Sequence, residues 1–270
     1  MALTTPRRRS NPEGRMPLRE HLIELRNRLF KAGLALLAGS VVGWFLYDPV
    51  LESLARPLFE LQKAGDRNIM PNLGGVTQAF DLKIKISIFI GAIVSSPLWL
   101  YQLWAFITPG LTRKERRYAL GFLAAAVPLF LAGAWLAYLF VPNAVRFLVG
   151  FTPEGYANFL SVPEYLGFVM RIILGFGLAF LVPVVLVALN MIGLLSGRTI
   201  LKAWRWVVVL SFTFAAMATP TPDVLSMFLL ALPLLALFAL AIAITMLNDR
   251  RRERLAPGFD DMDDDTASPL

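Results

Sequence analysis

Long apolar segments are the feature that most constrains the fold of this chain. Six runs contain few charged side chains, and most of them are about 20 residues long. A helix of about 20 residues crosses the roughly 30 Å hydrocarbon core of a bilayer, where only helices and closed barrels satisfy their backbone hydrogen bonds. The runs therefore predict an all-α integral membrane protein with six transmembrane helices. The predicted spans are Leu29–Tyr47, Leu82–Trp104, Tyr118–Val141, Tyr165–Leu189, Trp204–Ala218 and Val224–Leu247.

The last two spans are expected to be short, and the fifth in particular is shorter than the membrane is thick. Its fifteen or so residues cover only about 22 Å at 1.5 Å per residue, so we expect the bilayer to thin around it.

The predicted spans leave room for one membrane domain, residues 16–247, and two polar tails. Hydrophobic residues make up 57% of the chain, above the roughly 45–50% of soluble domains. Residues 1–15 form a basic tail, and residues 248–270 begin with arginines and end in an acidic run that includes Asp260 and Asp265. Both tails are expected to be disordered.

Basic residues flank the spans unevenly and predict the orientation. Arginines and lysines cluster before the first span, between the second and third, between the fourth and fifth, and after the sixth. The positive-inside rule then places both termini in the cytoplasm. Because the net charge of +7 is concentrated beside spans, it indicates topology and not a nucleic-acid partner.

The sequence supports a separate structural prediction for each of three further segments. Leucines recur every three or four residues over Met16–Lys31 with charged residues off that stripe, which predicts an amphipathic helix lying on the membrane surface before the chain turns inward. Asp48–Asp81 and Pro142–Glu164 are long, proline-containing outer loops and plausible contact surfaces.

The residue inventory argues against an enzyme. The chain has no cysteine and a single histidine, His21, so a thiolate nucleophile, a cysteine-ligated metal or a multi-histidine site is excluded, and no cofactor is expected. A multi-span secondary transporter is the alternative, although acidic groups near the midplane of the bilayer and a two-half repeat are not apparent. A Sec-independent insertase is a milder alternative.

Three motifs carry a family resemblance. They are MPLREHLIELRNRL from Met16, SPLWLYQLWAFITPGLTRKERR from Ser96, and MATPTPDVLS from Met217. In this order around six spans they resemble TatC, the multi-spanning receptor subunit of the twin-arginine protein translocase. The resemblance covers roughly Met16–Leu247.

The resemblance implies a receptor in the bacterial plasma membrane that binds signal peptides bearing paired arginines. With single-span partners of the TatA and TatB type, such a receptor exports folded proteins using the proton-motive force. Glu24 and Glu115 match the family's signal-binding glutamates. Carboxylates suit this task because they accept bidentate hydrogen bonds from guanidinium groups. Taken alone, Glu24 is also spaced to pair with Arg28, and Glu115 is spaced to soften the repulsion among its basic neighbours.

Other positions have less specific interpretations. Arg26 either orients the carboxylates or is an ordinary cytoplasmic charge, and Phe106 either walls the peptide site or is an interfacial aromatic. Gln102 is expected to bond a neighbouring helix. Pro57 and Asp223 match outer-loop positions of the family, where Asp223 suits a tight turn between the last two spans.

The fourth span departs from the family pattern. Leu181 stands where the family commonly has a glutamate, and Arg171 is expected to extend its side chain to the membrane interface. The prediction therefore contains no intramembrane carboxylate.

Overall fold

The structure is a computed structural model, and almost all of it is helical. It describes residues 18–63, 69–107, 113–150, 158–218 and 224–255. In chain order the elements are α1 Leu18–Phe45, α2 Tyr47–Lys63, β1 Ile69–Asn72, α3 Val76–Val94, α4 Ser96–Ile107, α5 Arg113–Gly150, β2 Asn158–Ser161, α6 Val162–Met191, α7 Gly197–Lys202, α8 Trp204–Ala218 and α9 Val224–Leu255. The expected all-helical class is confirmed.

The described residues divide into two compact units. One comprises the described parts of Met1–Tyr47 and Lys83–Val127, and the other comprises those of Asp48–Leu82 and Pro128–Leu270. In the first unit α1 packs against α3 and α4. In the second, α9 packs against α6, α7 and α8.

The first helix corrects the prediction of a separate surface helix. Leu18–Phe45 is one uninterrupted α-helix of 28 residues, so the amphipathic segment and the first span are continuous. Proline is absent between Leu18 and Phe45, and no other strong breaker separates the polar half of α1 from its apolar half.

The predicted second span is bent. Thr77–Val94 and Ser96–Phe106 meet at an angle of 61°. Pro97 explains the position of this bend, because proline lacks a backbone donor and its ring clashes with the preceding turn, so it is most easily accommodated in the first turn of a new helix, here α4. The indole Nε1 of Trp99 donates to the backbone oxygen of Ala92 at 2.9 Å and joins the two segments across the bend.

Close glycine contacts hold α1 against α3. A methyl group on Gly39 would lie 2.7 Å from the backbone oxygen of Gly91, and one on Gly43 would collide with the backbone oxygen of Ser87. Small residues at this four-residue spacing allow helix backbones to approach closely in a membrane. Gly133 and Gly177 do the same between α5 and α6, where they meet Phe176 and Phe130 respectively.

The two expected outer loops contain regular secondary structure. α2 occupies Tyr47–Lys63, and α5 continues through Pro142 to Gly150. β1 pairs in parallel with β2, with Ile69 opposite Asn158 and Asn72 opposite Ser161. The described parts of these two predicted loops are therefore mostly helices and strands.

Helix length and hydropathy support a multi-pass membrane protein. Among the described residues four helices are long and apolar enough to cross a bilayer, and the bent pair raises this number to five. α8 is a shorter apolar helix of 15 residues, with the predicted bounds. α9 is 32 residues long and extends past the apolar segment to Leu255, so only the fifth predicted span is short.

Candidate functional site

Glu24 lies on α1 with one carboxylate oxygen occupied and the other free. Its Oε1 accepts a 2.9 Å hydrogen bond from Arg28 Nε and a second, shorter one from Arg28 Nη2. The Glu24 side chain is 19% exposed. Its Oε2 is buried and has no hydrogen-bond partner among the described residues. A buried acceptor without a partner carries a desolvation cost of about 1–3 kcal/mol, so the position favours an incoming donor.

An apolar groove is lined in part by Arg28, the residue that binds this carboxylate. The rings of His21 on α1 and Phe106 on α4 stack with centroids 4.7 Å apart and an interplanar angle of 22°. The groove has a volume of about 220 Å³. Its lining residues are Leu25, Arg28, Leu29, Ala32, Trp99, Gln102, Leu103 and Phe106. Arg28, which binds the Glu24 carboxylate, and Phe106, which stacks on His21, both line the groove.

The sequence-predicted residues are only partly brought together. Glu24 and Phe106 lie close to the same groove, and Gln102 is one of its lining residues. Arg26 is exposed, and its guanidinium donates to Asn27 Oδ1 at 3.4 Å. The neighbour that binds the Glu24 carboxylate is Arg28.

The three remaining predicted positions are Glu115, Asp223 and Pro57. Glu115 is the third residue of α5, and its side chain lies outside the described part of the structure. Asp223 also lies outside the described residues. Pro57 is buried within α2, so this predicted outer-loop position lies in a helix.

The fourth predicted span lies within α6. Arg171 is exposed on α6, and its Nε donates to the backbone oxygen of Gly167, one turn earlier, at 3.0 Å. Leu181 on the same helix is buried.

Sequence reasoning missed a polar cluster that joins α6, α7 and α9. Asn190 is fully buried near the end of α6. Its Nδ2 donates to Asp249 Oδ1 at 2.7 Å and to the Leu195 backbone oxygen at 2.9 Å. Asp249 Oδ2 accepts from the backbone nitrogen of Gly197 at 2.6 Å, and Asn248 Nδ2 donates to Asn190 Oδ1 at 2.9 Å. The cluster fixes the α6–α7 turn to α9.

Comparison with protein families decides the assignment. A family model described as Sec-independent protein translocase protein (TatC) matches residues 20–233. The chain belongs to the TatC family. This confirms the resemblance carried by the three sequence motifs.

Individual relatives agree with this assignment. The chain is 50% identical to the Sec-independent protein translocase protein TatC of Xylanimonas cellulosilytica over 240 residues, which is 89% of this chain and 87% of that protein. It is 42% identical to the TatC protein of Rothia mucilaginosa over 266 residues, which cover 97% of this chain and 91% of the relative.

The fold of this TatC-family chain also matches a solved structure. A crystal structure described as the twin arginine translocase receptor TatC superimposes with a TM-score of 0.68 at 34% identity. The match covers 85% of this chain and all of the other. The chain is thus a multi-pass protein of a protein-translocase family, and this family is not one of classical enzymes.

Proposed function

We propose that this chain is the signal-peptide receptor and core subunit of a twin-arginine translocase. It binds signal peptides with paired arginines at the cytoplasmic face of the plasma membrane. With single-span partners of the TatA and TatB type it exports folded proteins using the proton-motive force. The proposed topology has six spans, with α3 and α4 forming one bent span and α8 a short one, so both termini lie on the same side. The basic residues beside the spans favour the cytoplasmic side for both.

The observation that carries the proposal is the free oxygen of Glu24. An arginine of the peptide can donate to the buried Oε2 while Arg28 continues to hold Oε1. Hydrogen bonds between two ionised groups are about twice as strong as neutral ones. Arg28 thus fixes the orientation of the carboxylate and leaves one acceptor available for the ligand.

The groove beside Glu24 supplies the second part of recognition. Leu25, Leu103 and Phe106 offer apolar surface next to the carboxylate. A peptide with apolar residues beside its paired arginines therefore gains both charge-assisted hydrogen bonds and apolar burial. A peptide with only one of these features gains less.

Glu115 is the second proposed contact for the arginines. It lies one residue from Lys114 and one from Arg116, so its carboxylate is the acidic group in a strongly basic segment. We propose that it accepts from the second guanidinium, while Arg26 adds to the positive field of this face and Phe106 bounds the site.

Photocrosslinking of a twin-arginine signal peptide to the full-length protein in membranes tests the role of Glu24. Glu24→Gln is expected to weaken peptide binding at least about tenfold, because it removes a charged acceptor whose hydrogen bonds contribute about 1.5–3 kcal/mol. Glu20→Gln, one turn earlier and exposed on the same helix, is the matched control and should bind as the unaltered chain does. Equal binding by both variants would contradict the proposal.

The same assay separates Glu115 from general electrostatics. Glu115→Lys should weaken crosslinking more than Glu115→Gln, because charge reversal adds repulsion to the loss of an acceptor. A twin-lysine peptide should bind to either Glu115 variant more weakly than the twin-arginine peptide does, since ammonium groups do not form bidentate pairs. A harmless charge reversal would refute the proposed contact.

A further inference from the structure

A second groove lies between α1 and α3, away from the residues proposed to bind signal peptides. Its volume is about 320 Å³. One wall is formed on α1 by residues one turn apart, Leu37, Val41 and Phe45, and the other on α3 by Ile84 and Ile88. These side chains are exposed, from 37% for Ile84 to 78% for Phe45.

The floor of this groove is made of small residues. Ser40 and Ser87 line it, and it follows the line along which Gly39 and Gly43 bring α1 close to α3. The Ser40 hydroxyl donates to the Leu36 backbone oxygen at 2.8 Å, and that of Ser87 donates to the Lys83 backbone oxygen at 2.7 Å. Both hydroxyls already donate within their own helices, so the floor suits an apolar occupant.

One end of the groove carries a positive charge. The amine of Lys83 lies 4.5 Å from the ring centroid of Trp44, which lines the groove, and 5.1 Å from that of Tyr47. Tryptophan and tyrosine are typical of the membrane interface. Cation–π contact with the two rings holds the ammonium group at the end of α1, the depth at which lipid headgroups begin.

The length of the groove points to lipid in preference to a spanning partner helix. From Leu37 to Phe45, α1 rises about 12 Å. Half of a roughly 30 Å hydrocarbon core is about 15 Å, so the groove matches the acyl region of one leaflet. A partner helix crosses both leaflets and would extend well beyond it.

We propose that this groove binds one anionic phospholipid, with an acyl chain between α1 and α3 and the phosphate at Lys83. The apolar walls accept any acyl chain, since lipid tails are as apolar as leucine. The charge at Lys83 therefore provides the selectivity for an anionic headgroup. This inference is independent of signal-peptide binding.

Native mass spectrometry of the detergent-purified full-length chain, titrated with phosphatidylglycerol or phosphatidylcholine, tests the headgroup contact. The first phosphatidylglycerol should bind tighter than phosphatidylcholine. Lys83→Gln should weaken phosphatidylglycerol binding about fivefold, the factor expected for one basic residue at the surface. Lys83→Arg should retain the preference. Lys85→Gln is the matched control, because positions two apart on a helix face different directions, and it should also retain it.

A second variant tests the groove itself. Val41→Trp, at an exposed position on the groove wall, should reduce binding of both lipids because the indole fills the groove. Leu34→Trp, exposed on the same helix but not lining the groove, should leave binding unchanged. If Lys83→Gln does not yield folded protein, the comparison of Val41→Trp with Leu34→Trp still tests whether lipid occupies the groove.

Several outcomes would overturn the lipid assignment. If the Lys83→Gln variant binds phosphatidylglycerol as tightly as the unaltered chain does, the proposed headgroup contact is refuted. If the Val41→Trp variant binds lipid as the unaltered chain does, the proposed groove site is refuted. If the unaltered chain forms a dimer that Val41→Trp dissociates and that phosphatidylglycerol does not disrupt, the occupant of the groove is a second copy of the chain.

Discussion

Asp249 illustrates how a single charged residue organises the end of the second unit. Its carboxylate accepts from the backbone of Gly197 and from the buried amide of Asn190. Gly197 is needed there, because a methyl group at this position would lie 2.9 Å from the backbone nitrogen of Met246. The α6–α7 turn is thus fixed to α9 by close backbone contact and by hydrogen bonds to a charged group.

Asp249→Ala is expected to lower the free energy of unfolding by about 2–3 kcal/mol. The change removes two hydrogen bonds to an ionised acceptor and deprives buried Asn190 of one partner. Thermal unfolding of the full-length protein in detergent measures the effect. Glu253→Ala, which breaks only the exposed 3.6 Å pair with Arg198, is the control and should change stability by less than about 1 kcal/mol. Equal stability of the two variants would contradict the structural role of Asp249.

Individual residues differ in how well the sequence predicts them. Glu24, Gln102 and Phe106 were identified because they belong to motifs that resemble a known family, and the structure places them at or beside one groove. Asn190 and Asp249 are 59 residues apart. Beside the arginines that follow the last span, Asp249 resembles an ordinary solvated charge. Tertiary contact alone gives it a role, so a local pattern does not reveal it.

At the level of helices, the glycine spacing on α1 determines which helix packs against it. Gly39 and Gly43 lie one turn apart and face backbone atoms of Gly91 and Ser87. Backbone atoms cannot move aside as the end of a flexible side chain can. We therefore expect these two positions to tolerate no larger residue while the α1–α3 contact is kept.

Gly43→Ala should destabilise the protein by more than about 1 kcal/mol, because overpacking forces the backbones apart. Gly33→Ala on the same helix is the matched control, since a methyl group there would meet no atom of another described helix within 4 Å. It should be neutral or stabilise by up to about 1 kcal/mol, because alanine is the better helix former. Unfolding in detergent, followed by tryptophan fluorescence, measures both. A Gly43 variant as stable as the Gly33 variant would argue against close packing.

Whole helices are easier to predict than the breaks and pairings between them. The bounds of α8 are those predicted, because charged and aromatic residues mark one end and Pro220 follows the other. The bend at Ser95 was missed although Pro97 was a local signal for it. β1 and β2 are four residues each, β1 contains Pro71, and β2 ends two residues before Pro163, so they are too short to show an alternating pattern from which a strand could be predicted.

At the scale of the whole molecule, an even number of spans requires both termini on one side of the membrane. The chain contains no cysteine, so a single introduced thiol reports its own location. Ser196→Cys and Arg251→Cys should react with an impermeant maleimide only from the cytoplasmic side. Glu52→Cys and Asn72→Cys should react only from outside; all four positions are exposed. Labelling of Ser196→Cys and Glu52→Cys from the same side would refute the six-span arrangement.

The glycine contacts between α1 and α3 also have a consequence for how the chain is made. Ser87 is about 44 residues downstream of Gly43, and ribosomes add roughly 5–20 residues per second. The synthesis of Gly43 therefore precedes that of Ser87 by roughly 2–9 seconds. During that interval α3 does not yet cover the surface around Gly39 and Gly43, so another nascent or neighbouring helix can pack there. The speed of translation through residues 44–87 therefore bears on whether α1 packs against α3 first.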